Sequence, residues 1–231
     1  MPTGTGRVKP VPVFCGRIFQ SVRLSSGNMD SFESKAYRRG FTVIAGIDEA
    51  GRGPLAGPVV AAAVVLPRGY KNGEVRDSKL LTPRSRARLY EVITRDALSV
   101  GLGVTEPSVI DRVNILQATL MAMREAVTGL SLQPDYLLID GLHRLDLSVS
   151  QQTIIRGDTL SLSVACASII AKVSRDRIME IYHHQFPQYN FLRNRGYGTR
   201  EHLEAIHRHG LCKIHRRSFR VSKEALDEEQ D

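Results

Sequence analysis

Two short apolar runs, separated by an acidic pair and a glycine-rich loop, constrain the fold of this chain most strongly. The first run begins at Val43 and ends at Asp48 and Glu49, and the second covers Val59 to Leu66. Apolar runs of this length bounded by Gly and Pro are typical of buried strands. The pattern therefore predicts two strands, which we expect to pair as antiparallel neighbours. Two carboxylates at the end of a buried strand are costly unless a cation holds them, and a solvated turn is the alternative interpretation.

Further strands and helices alternate along the rest of the chain. Apolar periodicity predicts helices over residues 31–39, 82–97, 107–127 (interrupted near Asn114) and 160–183, and strands over residues 98–104, 136–141 and 152–156. The glycines of the run 98–104 weaken that strand prediction. Strands separated by helices indicate an α/β domain.

Two more carboxylates follow predicted strands. Asp140 ends the apolar run that begins at Tyr136, and Asp158 comes shortly after residues 152–156. Because ligands of open α/β sheets bind beyond strand ends, we expect Asp140 and Asp158 to lie near Asp48 and Glu49. Taken alone, Asp140 before glycine is typical of a turn, and Asp158 before the long helix is typical of a cap.

An acidic cluster of this kind favours hard metal ions. Four carboxylates would repel one another strongly without cations, and oxygen-only ligands suit Mg²⁺ or Mn²⁺ rather than zinc. Two such ions about 4 Å apart are used for in-line phosphodiester displacement. The sequence therefore predicts a two-metal site for phosphoryl chemistry.

The charge of the chain favours a polyanionic partner. The formal net charge is +8 and the pI is about 9.7. Residues 172–220 carry an excess of basic side chains, which we interpret as a surface for nucleic-acid phosphates. Arg177 and Arg208 are assigned instead to solvated, salt-bridged helix faces. Six of the seven histidines also lie in this region, and we expect surface positions or backbone contacts for them: His183, His184, His202, His207, His209 and His215.

Cysteine content and hydropathy predict a soluble protein of the reducing cytoplasm. Cys15, Cys166 and Cys212 are far apart and odd in number, so they form no disulfide framework. Cys166 falls in an apolar helical pattern and is expected in the core. No stretch has the apolar length of a membrane helix.

The composition also predicts three segments. Residues 1–29 carry arginines and lysine but no acidic residue, and we expect a disordered basic extension. An organelle transit peptide, or translation that begins at Met29, are the alternatives. Residues 30–220 form the folded domain, and residues 221–231 form an acidic, frayed tail.

Several short motifs resemble those of one family, bacterial ribonuclease HII. The resemblance covers roughly residues 31–219, and its motifs recur in the family's order. They are Gly46-Ile47-Asp48-Glu49-Ala50-Gly51-Arg52-Gly53-Pro54, Asp77-Ser78-Lys79, Asp140-Gly141, Gly157-Asp158, Ala167-Ser168-Ile169-Ile170-Ala171-Lys172-Val173, Arg175-Asp176, Gly196-Tyr197-Gly198-Thr199 and His215-Arg216-Arg217-Ser218-Phe219.

This resemblance implies a fold and an activity. The fold would be a ribonuclease H-like mixed sheet flanked by helices, with a helical C-terminal part that binds substrate. The activity would be metal-dependent hydrolysis of the RNA strand of RNA–DNA hybrids. It would also cut on the 5′ side of single ribonucleotides in duplex DNA and leave 3′-OH and 5′-phosphate ends. We expect a monomer with no membrane partner.

The resemblance also implies roles for individual residues. Asp48 and Asp140 would hold one ion that activates water, and Asp48 and Glu49 a second that stabilises the departing oxygen. Asp158 would complete the catalytic cluster. The 2′-OH distinguishes RNA from DNA, and the residues implied in binding the ribonucleotide or the phosphates are Gly51, Arg52, Gly53, Tyr197, Lys79 and Lys172.

The chain departs from the family pattern after its last motif. The family often has proline shortly after the last motif, whereas Phe219 is followed by Arg-Val-Ser. The residues before Val43 are too few for the N-terminal domain of the related ribonuclease HIII. A non-catalytic RNA- or hybrid-binding protein on the same fold is the alternative, but it leaves the strand-end carboxylates without a purpose.

Overall fold

A five-stranded mixed sheet forms the centre of the computed structural model, which describes residues 31–75 and 81–219. The strands are β1 (Ile44–Ala50), β2 (Val59–Val65), β3 (Ser99–Thr105), β4 (Tyr136–Asp140) and β5 (Ser150–Ile154). The helices are α1 (Ser31–Arg38), α2 (Pro83–Asp96), α3 (Pro107–Val113), α4 (Ile115–Thr128), α5 (Gly157–Leu160), α6 (Leu162–Gln185), α7 (Phe191–Asn194) and α8 (Arg200–His209), with a 3₁₀ turn at Pro187–Tyr189.

The strand order β3-β2-β1-β4-β5 places β1 at the middle of the sheet. β1 pairs antiparallel with β2 and parallel with β4, and β4 pairs parallel with β5. The predicted antiparallel pair and the mixed sheet are therefore confirmed. Because β1 and β4 are parallel neighbours, their carboxyl ends meet at the same edge.

Helices cover both faces of the sheet. Alternate residues of β1 and β2, such as Ile47 and Ala61, pack with α4 in one apolar cluster. The intervening residues of β2, such as Ala62 and Val64, pack with α2 and α6 in a second cluster. Since every residue of β2 is buried, the continuous apolar run follows from burial on both faces. Cys166 of α6 is buried in the second cluster, as predicted.

Helix boundaries follow the capping residues of the sequence. The Thr82 side chain accepts a hydrogen bond from the Ser85 N–H and Pro83 occupies the first turn, which starts α2 as predicted. Asn114, with φ of 71°, ends α3 and caps α4 by accepting from the Gln117 N–H. The predicted interruption near Asn114 is confirmed.

Glycines in β3 have a packing role. A Cβ atom on Gly101 would lie 2.0 Å from the Ala126 carbonyl oxygen, and one on Gly103 would lie 2.0 Å from that of Ala122. The glycines that weakened the strand prediction therefore let α4 approach the strand backbone.

The long helix begins later than the sequence pattern indicates. Ser161 caps α6 through the Val164 N–H, so α6 starts at Leu162, and Leu160 belongs to the one-turn helix α5. Asp158 consequently lies inside α5, one turn before the helix that it was expected to cap.

The predicted basic extension (1–29), the acidic tail (221–231) and Lys79 lie outside the described residues. Within the described ranges, no helix combines the length and apolar character needed to cross a membrane.

Candidate active site

Strand register brings Asp48 and Asp140 together. Ile47 of β1 is opposite Ile139 of β4 in the parallel pair, so the next residue of each strand is an aspartate at the same level. Ligand oxygens of Asp48, Glu49 and Asp140 all lie within 4.8 Å of one another. The sheet therefore builds a three-carboxylate cluster from distant parts of the chain.

Burial and like charge make this cluster unfavourable without a cation. Desolvation raises the pKa of Asp48 well above its usual value, and the neighbouring Glu49 and Asp140 carboxylates raise it further. Hydrogen bonds from the Ser168 hydroxyl and the Glu49 N–H (2.7 Å to Oδ1) oppose this rise in the Asp48 pKa. Desolvation also raises the pKa of Glu49, against the opposing effect of Arg52. A divalent ion would relieve both effects.

The donor set fits a hard divalent cation. The three groups offer only carboxylate oxygens, the ligands that Mg²⁺ and Mn²⁺ prefer. Asp48 is buried and the side chain of Glu49 is 12 % exposed, so the cluster lies at the base of a recess that remains open to solvent. Within residues 31–75 and 81–219, no His or Cys joins the three carboxylates, and a set of oxygen ligands alone suits zinc less well than Mg²⁺ or Mn²⁺.

Asp158 lies beside the cluster but is not among its three members. It is buried in α5, and the N–H of the preceding Gly157 donates to Asp140 Oδ1 at 2.6 Å. The short helix therefore orients the Asp140 carboxylate. The proposed role of Asp158 in metal binding or water orientation stays a prediction.

One cavity of about 290 Å³ opens onto the carboxylates. Of the predicted site residues that the structure describes, all except Asp158 line it. Two polar side chains that sequence reasoning missed, Arg86 and Ser168, line it as well. Ser168 had a usable signal, because it lies four residues before Lys172 and hence on the same face of α6. Arg86 of α2 had none, since only the fold brings α2 to this edge.

The substrate-binding residues predicted by resemblance occupy the rim of this cavity. The Arg52 side chain is half exposed, and its Nη1 donates to Glu49 Oε1 at 3.3 Å. Tyr197 is 45 % exposed, and a Cβ on Gly53 would lie 3.8 Å from its ring. Lys172 donates to Asp176 at 2.7 Å, and burial lowers its pKa.

Two arginines expected in the phosphate-binding surface are buried, and that prediction is wrong for both. Arg175 and Arg216 lie in the interior, where their guanidinium groups donate to backbone carbonyls. His202 and His215 are also buried, with their Nε2 atoms 3.0 Å apart. The number of basic residues in 172–220 therefore overstates how many side chains are available to bind phosphates.

Fold and site together define a class of protein. An all-oxygen carboxylate cluster at the ends of parallel strands, beside a cavity lined by Arg and Lys in a basic α/β domain, is typical of a metal-dependent enzyme that cuts phosphodiester bonds. A sequence model of ribonuclease HII matches residues 45–222, and the chain belongs to the ribonuclease HII family. It is thus a metal-dependent endonuclease of the ribonuclease H type, from a family that acts on RNA–DNA hybrids. This membership decides against the non-catalytic alternative.

Relatives of similar length support the assignment. Ribonuclease HII of Syntrophus aciditrophicus is 70 % identical over 193 residues, which cover 84 % of this chain and 91 % of the relative. Ribonuclease HII of Geobacter sulfurreducens is 57 % identical over 197 residues, or 85 % of this chain and 91 % of the relative.

Solved structures share the fold. Ribonuclease H2 from Pyrococcus horikoshii superposes with a TM-score of 0.67 at 25 % identity, covering 80 % of this chain and 97 % of its own. The Archaeoglobus fulgidus protein in a PCNA:RNase HII complex gives 0.66 at 23 % identity, with 79 % and 97 % covered. A Bst-RNase HIII structure in complex with Mn²⁺ gives 0.60 at 20 % identity, with 80 % and 69 % covered. The ribonuclease H-like fold prediction is confirmed.

Proposed function

We propose that Asp48, Glu49 and Asp140 hold Mg²⁺ or Mn²⁺, with Asp158 completing the catalytic cluster, in a two-metal site. The support is the cluster of oxygens within 4.8 Å and the raised pKa of Asp48, which a cation would reverse. A protein of the same fold was solved in complex with Mn²⁺. When bound, such ions supply an activated water and stabilise the charge on the departing oxygen.

The residues of the chain prepare this site for the substrate. Ser168 and the Gly157 N–H orient the Asp48 and Asp140 carboxylates by hydrogen bonding. Arg52 neutralises Glu49 in the free protein and, being half exposed, is free to turn toward a phosphate or ribose. Lys172 contributes a positive charge to the cavity wall, where we place a substrate phosphate.

Our proposed substrates are RNA–DNA hybrids and single ribonucleotides within duplex DNA. Gly51, Arg52, Gly53 and Tyr197 would recognise the 2′-OH at the junction. The observation that carries this proposal is that Gly51, Arg52, Gly53 and Tyr197 line the same cavity as the three carboxylates. Lys79 would contact a phosphate nearby, as the resemblance implies.

A cleavage assay tests the function. A DNA duplex with one ribonucleotide is incubated with the protein and Mg²⁺, Mn²⁺ or EDTA, and both product ends are mapped. We expect metal-dependent cutting on the 5′ side of the ribonucleotide, with 3′-OH and 5′-phosphate ends, and no cutting of an all-DNA duplex. Cutting on the 3′ side, or cutting in EDTA, would contradict the proposal.

We also propose that the protein works as a cytoplasmic monomer. Cys166 and Cys212 are free thiols, which suits a reducing compartment. Light scattering during size-exclusion chromatography should give a mass near the 25.7 kDa of one chain. A mass of twice that value at micromolar concentration would refute the monomer.

A further inference from the structure

Two buried guanidinium groups hold the loop formed by residues 51–58. Arg216 donates from Nη1 to the carbonyl of Arg52 at 2.9 Å and from Nη2 to those of Gly51 at 2.5 Å and Gly57 at 2.8 Å. Its Nε donates to Gly57 as well, at 3.0 Å. Most of the donors of one side chain are therefore used on one loop.

Arg175 holds the other end of the same loop. Its Nε donates to the Pro58 carbonyl at 3.0 Å and its Nη2 to that of Ala56 at 3.1 Å. Its Nη1 donates to the Arg195 carbonyl at 3.0 Å, two residues before Tyr197. Arg175 thus connects the loop to the segment that carries the exposed tyrosine.

These interactions explain why the loop can be irregular and still buried. Buried carbonyls need partners. Pro54 and Pro58 limit the regular backbone pairing of the loop, which among the described residues is an isolated bridge between Ala56 and His215. Only arginine offers five donors in a rigid fork. Both side chains are buried, and within the described residues neither has a salt bridge to a carboxylate. Burial lowers the pKa of Arg216 to about 9 and that of Arg175 to about 10, so both stay charged at neutral pH.

The backbone packs tightly against these groups. Gly51 has φ of +97°, and a Cβ there would lie 2.1 Å from Arg175 Nε. Gly51 is therefore required by its contact with arginine as well as by any contact with substrate. By contrast, a Cβ on Gly53 would meet the Tyr197 ring at an ordinary contact distance of 3.8 Å. None of the described residues accepts a hydrogen bond from the backbone N–H groups of Arg52 or Gly53. The carbonyls of Gly51 and Arg52 point inward to Arg216. Because the C=O and N–H of a trans peptide point in opposite directions, the N–H groups of Arg52 and Gly53 point outward.

We propose that Arg175 and Arg216, here called the arginine frame, are positioning residues that fix the 51–58 loop and Tyr197 in the geometry that recognises a ribonucleotide. They act through the loop backbone and contact neither metal nor phosphate. This inference rests on the proposed function of the loop. Two basic residues of the region 172–220 thereby support the loop from inside and do not bind phosphate.

The test measures ribonucleotide preference by binding. In a cleavage-deficient Asp48→Asn background, dissociation constants are measured for an all-DNA duplex and for the same duplex with one ribonucleotide. Arg216→Lys keeps the charge, but its single ammonium group cannot reach three carbonyls in the fork arrangement. The arginine frame predicts that the preference ratio falls about tenfold, as for the loss of one good hydrogen-bonded contact, while all-DNA affinity changes less than about twofold.

Matched variants separate the loss of loop support from the general effect of replacing an arginine by lysine. Arg175→Lys acts at the other end of the loop and should lower the same ratio, which covers the case in which Arg216→Lys does not fold. Arg177→Lys is the control, because Arg177 is exposed and paired with Glu91, and it should keep the parental ratio. Folding of each variant is checked by circular dichroism.

The outcomes distinguish two failures. A folded Lys variant with the parental ratio would overturn the arginine frame and leave the proposed function intact. If the Asp48→Asn protein itself showed no preference for the ribonucleotide, the proposed role of the loop in recognising it would be wrong, and so would the role of the arginine frame.

Discussion

At the scale of single residues, Asp48 lies in an unfavourable electrostatic environment for a carboxylate. It is buried next to Glu49 and Asp140, and the hydrogen bonds that it accepts do not prevent a strong rise of its pKa. A buried carboxylate surrounded by carboxylates is tolerated because a cation completes the site when bound. Asp48 should therefore contribute more to metal binding than to the stability of the metal-free fold.

The variant Asp48→Asn tests this role. We expect the melting temperature in EDTA to stay equal or rise, because repulsion is removed, and the rise on adding Mn²⁺ to disappear. Cleavage should fall by about 100-fold or more. This loss is at or above the largest expected from changing a group that only supports a metal ligand by hydrogen bonding. Asp146→Asn, at an exposed aspartate, is the control. An unchanged Mn²⁺ shift in Asp48→Asn would contradict the assignment.

His202 and His215 form a buried pair whose geometry fixes their protonation. His202 Nδ1 lies 2.8 Å from the Tyr197 carbonyl and must donate, so its Nε2 accepts from His215 Nε2. His215 Nδ1 then accepts from the Cys212 N–H at 2.9 Å. Both rings are therefore neutral, and protonating either one would bring two donors together.

A pH series tests the histidine pair. Burial, followed by the nearby His202, lowers the pKa of His215 from 6.5 to about 4, and burial lowers that of His202 as well. Since the folded state binds fewer protons than the unfolded state, stability is full above pH 6.5 and falls as the pH drops toward 4. The slope should not exceed about 1.4 kcal/mol per pH unit for each group.

The variant His215→Gln isolates this contribution in urea unfolding between pH 4 and pH 8. It should be less stable at pH 8 and should lose part of the acid slope. A variant with the full wild-type slope would show that the acid dependence comes from other groups.

The sequence predicted the positions of the acidic site residues better than those of the buried arginines. Asp48 and Asp140 end apolar runs, so their position followed from strand prediction. Arg175 and Arg216 could not be assigned in this way, because their partners are carbonyls more than 100 residues away in the 51–58 loop. The charge of a side chain does not reveal whether it faces phosphate or backbone.

At the scale of elements, the site depends on how helices pack on the sheet. α4 lies so close to β3 that a Cβ on Gly101 would meet the Ala126 carbonyl oxygen at 2.0 Å. The sequence predicted both elements, but the reason for the glycines in β3 became clear only from the contact between β3 and α4. The register of β1 against β4 was likewise beyond prediction, because it depends on a pairing across about 90 residues.

Gly101→Ala should therefore destabilise the protein by about 1–3 kcal/mol, the usual range for overpacking. Gly73→Ala, where a Cβ has open space, is the matched control and should change stability by less than about 0.5 kcal/mol. Urea unfolding measures both. Since β3 is the edge strand remote from the carboxylates, the Mn²⁺ shift should persist in Gly101→Ala; a wild-type unfolding midpoint would refute the close packing.

At the scale of the whole molecule, the basic side chains are divided between the interior and the surface. The net charge is +8, and part of the basic excess is internal, as Arg175 and Arg216 demonstrate. The remaining exposed cations around the cavity are expected to neutralise phosphates and release counterions. Composition predicted the polyanionic partner, while the distribution of charge between interior and surface required the fold.

Salt dependence tests this division. Affinity for an all-DNA duplex should fall at least about tenfold between 50 and 200 mM salt, which corresponds to roughly two or more neutralised phosphates. Arg177→Gln should leave the slope unchanged, because Arg177 is already paired with Glu91. Affinity that is independent of salt would contradict a phosphate-binding surface.

The metal site is central to the proposed activity, and anomalous diffraction from crystals soaked in Mn²⁺ tests it most directly. We predict an anomalous peak within coordination distance of the Asp48, Glu49 and Asp140 carboxylates, and its absence from Asp48→Asn crystals. A soaked crystal with no peak between these three side chains, or with Mn²⁺ bound only elsewhere, would contradict the account.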